Sequence, residues 1–293
     1  MQEGHSTGIA IDAAIYSQPK IDCHCHVLDP DNFAYADDVA YRPAGQETGS
    51  AQYFENVLAA YGVQHALLVG PNSGYGTDNR CLLSAIARSK GRFKGVAVVN
   101  LDASLTQLQD LAAQGVVGIA FNYALLGLDY YRAAGPLIDK LIQAGLYLQV
   151  QVTGDQMHTL EPQLRDCGAG LLVDHCGRPE PANRTADTGF DAVLKLAECG
   201  RATVKLSGFV KFTHHDFPFA DTHGHIAELL AAYGPDHCVW ASDWPFLKAP
   251  RRLDYGPLLQ LFAHTVPDAE VRRRILWDTP KRLLAVSDGS KAD

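Results

Sequence analysis

Residues 20–27 read KIDCHCHV. His24 and His26 stand two apart, with Asp22 two residues before them and Cys23 and Cys25 between. The run is short, mostly apolar and free of Gly and Pro, so it reads as a strand. Side chains alternate faces along a strand. Parity therefore puts Asp22, His24 and His26 on one face and the two cysteines on the other. Two imidazoles on one face at a strand end converge on a single point. The cysteines, turned away, read as small core residues rather than metal ligands.

Similar runs recur along the chain: 65–70, 93–100, 116–122, 146–152, 170–175, 202–208 and 237–243. Helical patterns alternate with them at 50–61, 78–90, 104–114, 130–144, 155–166, 189–199, 220–233 and 255–265, and a last one spans 269–284. Several strands are almost wholly apolar, as strands covered on both faces must be. Eight strand–helix repeats predict an α/β fold, a single (β/α)8 TIM barrel, with long loops at the C-terminal face. The longest connections, 28–49, 176–188 and 209–219, follow strands one, six and seven. No linker interrupts the alternation. The expected organisation is an N-terminal arm over 1–19 lying on the surface, a barrel over 20–285 and a C-terminal tail over 286–293.

Composition narrows the function classes. The net charge is −8 over 293 residues, which argues against a nucleic-acid footprint. The one basic run, Arg272–Arg274, reads as a solvated helix face. Seven scattered cysteines form no disulfide framework, which suits a reducing, cytoplasmic compartment. No secretory signal pattern and no membrane-length apolar run is expected.

Two more strand ends carry ionisable residues. Strand six, GLLVDHCGRPE, puts His175 on the face of Leu171 and Val173, and Asp174 on the opposite face. Strand eight, HCVWASDWPF, puts Asp243 on the face of Val239 and Ala241. A charged or polar group ending an apolar strand is costly unless it is paired or used. His24, His26, His175 and Asp243 at matching heights point to a catalytic constellation.

IDCHCHV, DHCGRPE and SDWP, in this order after strands one, six and eight, resemble the signature blocks of the amidohydrolase superfamily. The likeness is to its amidohydrolase 2 branch and, within it, to 2-pyrone-4,6-dicarboxylate lactonase-like proteins. It spans roughly residues 20–285. It implies a (β/α)8 barrel and a hydrolase that opens a carboxylate-bearing lactone, an EC 3.1.1 activity. The residues it carries over are His24, His26, His175, Arg178 and Asp243. Asp243 would activate the water, and the histidines, with or without a metal, would polarise the carbonyl. Ester hydrolysis needs such a base and such a positive group. Arg178 offers a planar fork for a carboxylate, while a salt bridge bracing its loop explains it equally well.

The chain departs from the dicarboxylate lactonases at three places. Ala120 stands where they carry an arginine, Lys211 where they carry another, and Gln151 where a tyrosine is usual. Losing a bidentate clamp matters most for a dianion. The expected substrate is therefore a lactone with one carboxylate, from sugar-acid or aromatic degradation, held by Arg178 and Lys211. Tyr41, Ser73, Tyr75, Asn72 and Asn122 are further candidate contacts.

His24, His26 and Asp243 could hold a divalent ion such as zinc. The lactonase branch works without one, and the resemblance leans to a metal-free site. The same superfamily leaves a metal-dependent decarboxylase or a lactone isomerase as alternatives, with a non-catalytic sugar-acid binder least favoured. Residues 212–225 carry four histidines, at 214, 215, 223 and 225, which read as a surface loop before a second metal site.

Overall fold

In the computed structural model, residues 8–286 are described. Eight parallel strands, β1 Lys20–Cys25, β2 Val63–Val69, β3 Phe93–Ala97, β4 Val116–Asn122, β5 Tyr147–Gln151, β6 Leu171–Val173, β7 Ala202–Leu206 and β8 Cys238–Trp240, pair in sequence order. β8 returns to β1 beyond its last regular residue. The Asp243 N–H donates to the His24 carbonyl at 2.8 Å and the His26 N–H to the Trp244 carbonyl at 2.7 Å. The sheet is thus a (β/α)8 barrel whose closing seam lies at the predicted site. Helices cover its outside, among them Ala51–Ala60, Arg80–Arg88, Leu105–Ala113, Gly135–Gln143, Gln156–Asp166, Thr188–Leu196, His223–Tyr233 and Tyr255–Thr265. Side-chain oxygens start several of them: Ser50, Ser104 and Asp187 accept from the N–H of Tyr53, Gln107 and Phe190.

Two apolar clusters divide the interior. The larger fills the layer between strands and helices, with Cys25, Leu68, Leu148, Val173 and Leu206 from the strands. The smaller fills the barrel lumen: Ile21, Cys23, Leu67, Val69, Val96, Leu172, Val239 and Ala241, with Trp277, Leu283 and Leu284 from the C-terminal segment packed against it. That segment is not one helix over 269–284. A π-helical stretch, Arg274–Asp278, separates Ala269–Arg273 from Thr279–Leu283.

Two expectations fail here. Strict parity on β1 breaks down, because the register with β2 shifts between Asp22 and Cys25. Cys23 therefore lies in the lumen, and Asp22 faces outward and bonds to Ser242 and Tyr255. The basic run is not simply a solvated face either. Arg272 is buried, donating to the Val266 and Pro267 carbonyls and to Asp12 Oδ2 at 2.9 Å. Asp12 precedes a short 3-10 turn, Ala13–Tyr16, whose fully buried Ile15 anchors this part of the chain to the barrel. Residues 1–7 and 287–293, including most of the expected tail, lie outside the described residues. Among the described residues no helix is long and apolar enough to cross a membrane.

Candidate active site

The C-terminal end of the lumen opens into a cavity of about 450 Å³, a size that suits a small molecule. His24, His26, His175 and Asp243 meet on its floor. Asp243 Oδ1 is the focus. It lies 3.8 Å from His24 Nε2, 3.6 Å from His26 Nε2 and 3.7 Å from His175 Nε2. It is buried and has no hydrogen-bond partner. The other oxygen, Oδ2, takes the Lys211 ammonium at 2.9 Å.

Each imidazole is oriented from behind. His26 Nδ1 is 2.8 Å from the Val69 carbonyl. A carbonyl only accepts, so Nδ1 carries a proton and Nε2 faces the cavity. His175 Nδ1 lies 3.0 Å from Ser207 Oγ. Gly208, at φ +68°, has no side chain for the same reason: a Cβ there would stand 2.6 Å from His175 Nδ1. His24 Nδ1 is 3.2 Å from Asp174 Oδ1 and 3.2 Å from Lys205 Nζ.

Asp174, Lys205 and Gln149 form a ring beneath His24. Lys205 Nζ reaches Asp174 Oδ1 at 3.0 Å and donates to Gln149 Oε1 at 2.6 Å, and Gln149 Nε2 donates to Asp174 Oδ2 at 2.9 Å. All three residues are buried. Strand parity assigns Asp174 to the outer face, but the structure turns it inward. Leu172 points into the lumen and so does Asp174, two residues on. His175 reaches the site by another route: His175, Cys176, Gly177 and Arg178 all have positive φ, from 49° to 74°. Three of these four residues are not glycine, so the left-handed run is strained, and it turns both His175 and Arg178 toward the cavity. Asp243 is also left-handed, at φ 62°.

The seam is clamped just below. Asp22 Oδ1 accepts from the Ser242 N–H at 3.0 Å and the His24 N–H at 3.3 Å; Oδ2 accepts from Ser242 Oγ at 2.6 Å and the Tyr255 hydroxyl at 2.9 Å. One carboxylate therefore ties the backbone under His24 to the backbone under Asp243.

The electrostatics follow from burial and pairing. Burial alone would raise the Asp243 carboxyl, but the Lys211 ammonium and the surrounding imidazoles outweigh it and hold it well below the usual range. Burial also raises Asp174, and Lys205 and His24 reverse the direction. Burial, reinforced by Lys205, lowers His24 to about 4 against the pull of Asp174. His175 is pushed down by burial too. The resting site thus holds the Asp174 and Asp243 carboxylates and neutral His24 and His175.

The remaining predicted residues divide. Arg178, Lys211, Asn72, Ser73, Asn122 and Gln151 line the cavity, together with Ala120. Tyr41 and Tyr75 do not. Tyr41 lies beneath Lys248, 4.4 Å from the ring centroid, with its hydroxyl on Glu47. Tyr75 is buried and its hydroxyl accepts the Asp29 N–H at 2.9 Å. In the histidine-rich stretch, His214 pairs with Glu180 at 2.7 Å and His223 with the Pro218 carbonyl at 2.8 Å. Among the described residues the one group that could hold a metal is His24, His175 and Asp243, rather than His24, His26 and Asp243. Sequence reasoning passed over Lys205 and Gln149. Their signal was present in the alternation of ATVKLSG and LYLQVQV, where a lysine and glutamines interrupt otherwise apolar strands.

Comparison with known proteins places the chain in a family. A family model described as amidohydrolase matches residues 21–286. A 4-sulfomuconolactone hydrolase of Hydrogenophaga intermedia is 27% identical over 274 residues, covering 89% of this chain and 87% of that protein. A 2-pyrone-4,6-dicarboxylate hydrolase of Comamonas testosteroni is 25% identical, covering 90% and 89%. Among solved structures, a probable 2-pyrone-4,6-dicarboxylic acid hydrolase of Acinetobacter baumannii with citric acid bound superposes with a TM-score of 0.82 at 25% identity, covering 91% of this chain and 99% of that one.

Proposed function

The chain belongs to the amidohydrolase family, and from that premise we propose that it is a hydrolase opening the ring ester of a carboxylate-bearing lactone. One observation carries this reading: Asp243 Oδ1 is buried, unpartnered and ringed by three imidazole Nε2 atoms on the cavity floor. The names of the two relatives described above, a lactone hydrolase and a pyrone hydrolase, support the substrate class.

The step balances on this chain's own groups. A water seated at Asp243 Oδ1 gives its proton to that carboxylate as its oxygen attacks the lactone carbonyl. The ring C–O bond then breaks, and the departing alkoxide takes the proton back. The product is the open hydroxy-carboxylate. Lys211, already 2.9 Å from Oδ2, stands where an ammonium can turn toward the developing oxyanion. As it does, Asp243 loses its main neutralising partner and becomes a stronger base. Arg178 receives the substrate carboxylate. Its Nε is buried without a partner, and no carboxylate of the described residues lies within ion-pair reach.

The residues also fit a divalent cation. Ligands at 2.0–2.1 Å around zinc lie about 3.4 Å apart at tetrahedral corners, close to the 3.8 and 3.7 Å from Asp243 Oδ1 to His24 Nε2 and His175 Nε2. His24, His175 and Asp243 would hold it, with His26 beside them. His26 and His24 already have the carbonyl and carboxylate partners that orient metal-binding imidazoles. Such an ion would polarise the lactone carbonyl and acidify the attacking water.

The test is ring opening of a lactone panel, followed as acid release, for wild type and Asp243→Asn. Release of acid by wild type and its loss in the variant, at an unchanged thermal midpoint, is the expected result. If wild-type protein opens no lactone, or if Asp243→Asn retains full activity, this reading is wrong.

A further inference from the structure

The cavity wall is electrically lopsided. Going round the barrel from β6 through β7 and β8 to β1, the lining residues include Asp174, His175, Arg178, Lys211, Asp243, His24 and His26, with Lys248 at the rim. From β2 to β5 the lining holds no ionisable group among the described residues. Its polar members are Asn72, Ser73, Asn122, Gln149 and Gln151. Gln149 is buried and committed to Lys205 and Asp174.

The cations on the charged side differ in availability. Lys211 is bound to Asp243 and to the Leu247 carbonyl at 3.1 Å. Lys248 is exposed and rests on the Tyr41 ring. Arg178 alone among these three has no described partner, and its Nε is sealed from water. An unpaired guanidinium on a strained backbone calls for one bidentate anion.

The neutral side is built to hydrogen-bond. Asn122 is spent on its surroundings: Oδ1 accepts the Leu125 N–H at 3.0 Å and Nδ2 donates to Asn72 Oδ1 at 3.3 Å. That bond fixes which way the Asn72 amide points, leaving its amino group free for a ligand. Gln151, at the end of β5, and Ser73 have no described hydrogen-bond partner and line the same cavity. Amides and a hydroxyl offer both donors and acceptors. They complement hydroxyl groups, and they offer no charge to a second anion. Ala120 adds only a methyl group between them.

We propose, resting on the lactone-hydrolase reading, that the substrate is a hydroxylated monoanion: a sugar-acid lactone with one carboxylate on Arg178 and ring or side-chain hydroxyls on Asn72 and Gln151. Asn72 and Gln151 are then the specificity-determining residues, and a substrate with two anionic groups is disfavoured. Sites that bind a substrate hydroxyl discriminate strongly against analogues lacking it, because their own polar groups are otherwise left unpaired.

The experiment compares kcat/KM for three probes: the monolactone of a hexaric acid (one carboxylate, several hydroxyls), muconolactone (one carboxylate, no hydroxyl) and 2-pyrone-4,6-dicarboxylate. The hexaric monolactone is expected to lead both others by at least roughly tenfold. Gln151→Met and Asn72→Ala, each checked for an unchanged thermal midpoint, should shrink its lead over muconolactone about tenfold. A dicarboxylate opened as well as the hexaric monolactone, or a lead that neither variant moves, overturns the proposal while leaving the hydrolase reading intact. Calorimetric titration with the open-chain monoanion galactonate and with benzene-1,3-dicarboxylate separates the two claims. Tighter binding of galactonate, weakened by Gln151→Met, upholds the ligand class even if no lactone is turned over. Equal binding of both, or neither, rejects it.

Discussion

The two halves of the cavity wall solve different problems. The arc from β6 to β1 buries charge and neutralises it internally: Asp174 against Lys205, Asp243 against Lys211. The arc from β2 to β5 carries amides and a hydroxyl that water can reach. Charges in a low-dielectric lumen interact strongly and must be paired, so the first arc is rigid and coupled. Neutral hydrogen-bonding groups bear little penalty when solvated, so the second arc is free to tune recognition. On the proposed reading, the chemistry and the carboxylate contact would lie on the first wall and hydroxyl recognition on the second.

Breaking the charged arc should have the larger effects. Asp243→Asn removes the acceptor for the water proton and should lower kcat by about 10³, within the range for a general base, as measured by acid release at saturating lactone. Lys205→Met comes next. It leaves Asp174 as an uncompensated buried charge and strips Gln149 of its donor, which should cost about 3–5 kcal/mol in urea unfolding. The double variant Lys205→Met/Asp174→Asn should recover part of that loss. Arg178→Met sits where the two arcs serve one ligand. Losing a charge-assisted bond of about 2 kcal/mol should raise KM roughly 30-fold, with the smaller change in kcat. Zinc offers a sharper probe of the floor. Adding it to chelator-treated protein should raise the thermal midpoint of wild type and leave His175→Ala unmoved.

A graded effect is a pH slope. His24 falls to about 4 in the folded chain from an ordinary 6.5. Between those values the unfolded chain binds a proton that the folded chain does not. The stability this group contributes is present above about 6.5 and is lost as pH falls toward 4. Chelator-treated wild type should lose unfolding free energy over that interval, and His24→Gln should show a shallower slope. Matching slopes would mean that the charged arc does not hold His24 neutral.

The sequence by itself determined the repeat of eight strands and helices, because apolar period and length are local properties. It also determined that His24, His26, His175 and Asp243 end strands at one level. What it could not determine was every facing direction. A register shift in β1 reversed the places of Asp22 and Cys23. A left-handed run, His175–Arg178, let Asp174 and His175 share one cavity although strand parity sets them apart. Tyr41 and Tyr75, plausible rim contacts from their loops, found partners elsewhere. The ring of Lys205, Asp174 and Gln149 joins β5, β6 and β7. No local pattern encodes such a ring, because the partners that make a buried charge tolerable come from distant parts of the chain and meet only when the barrel closes.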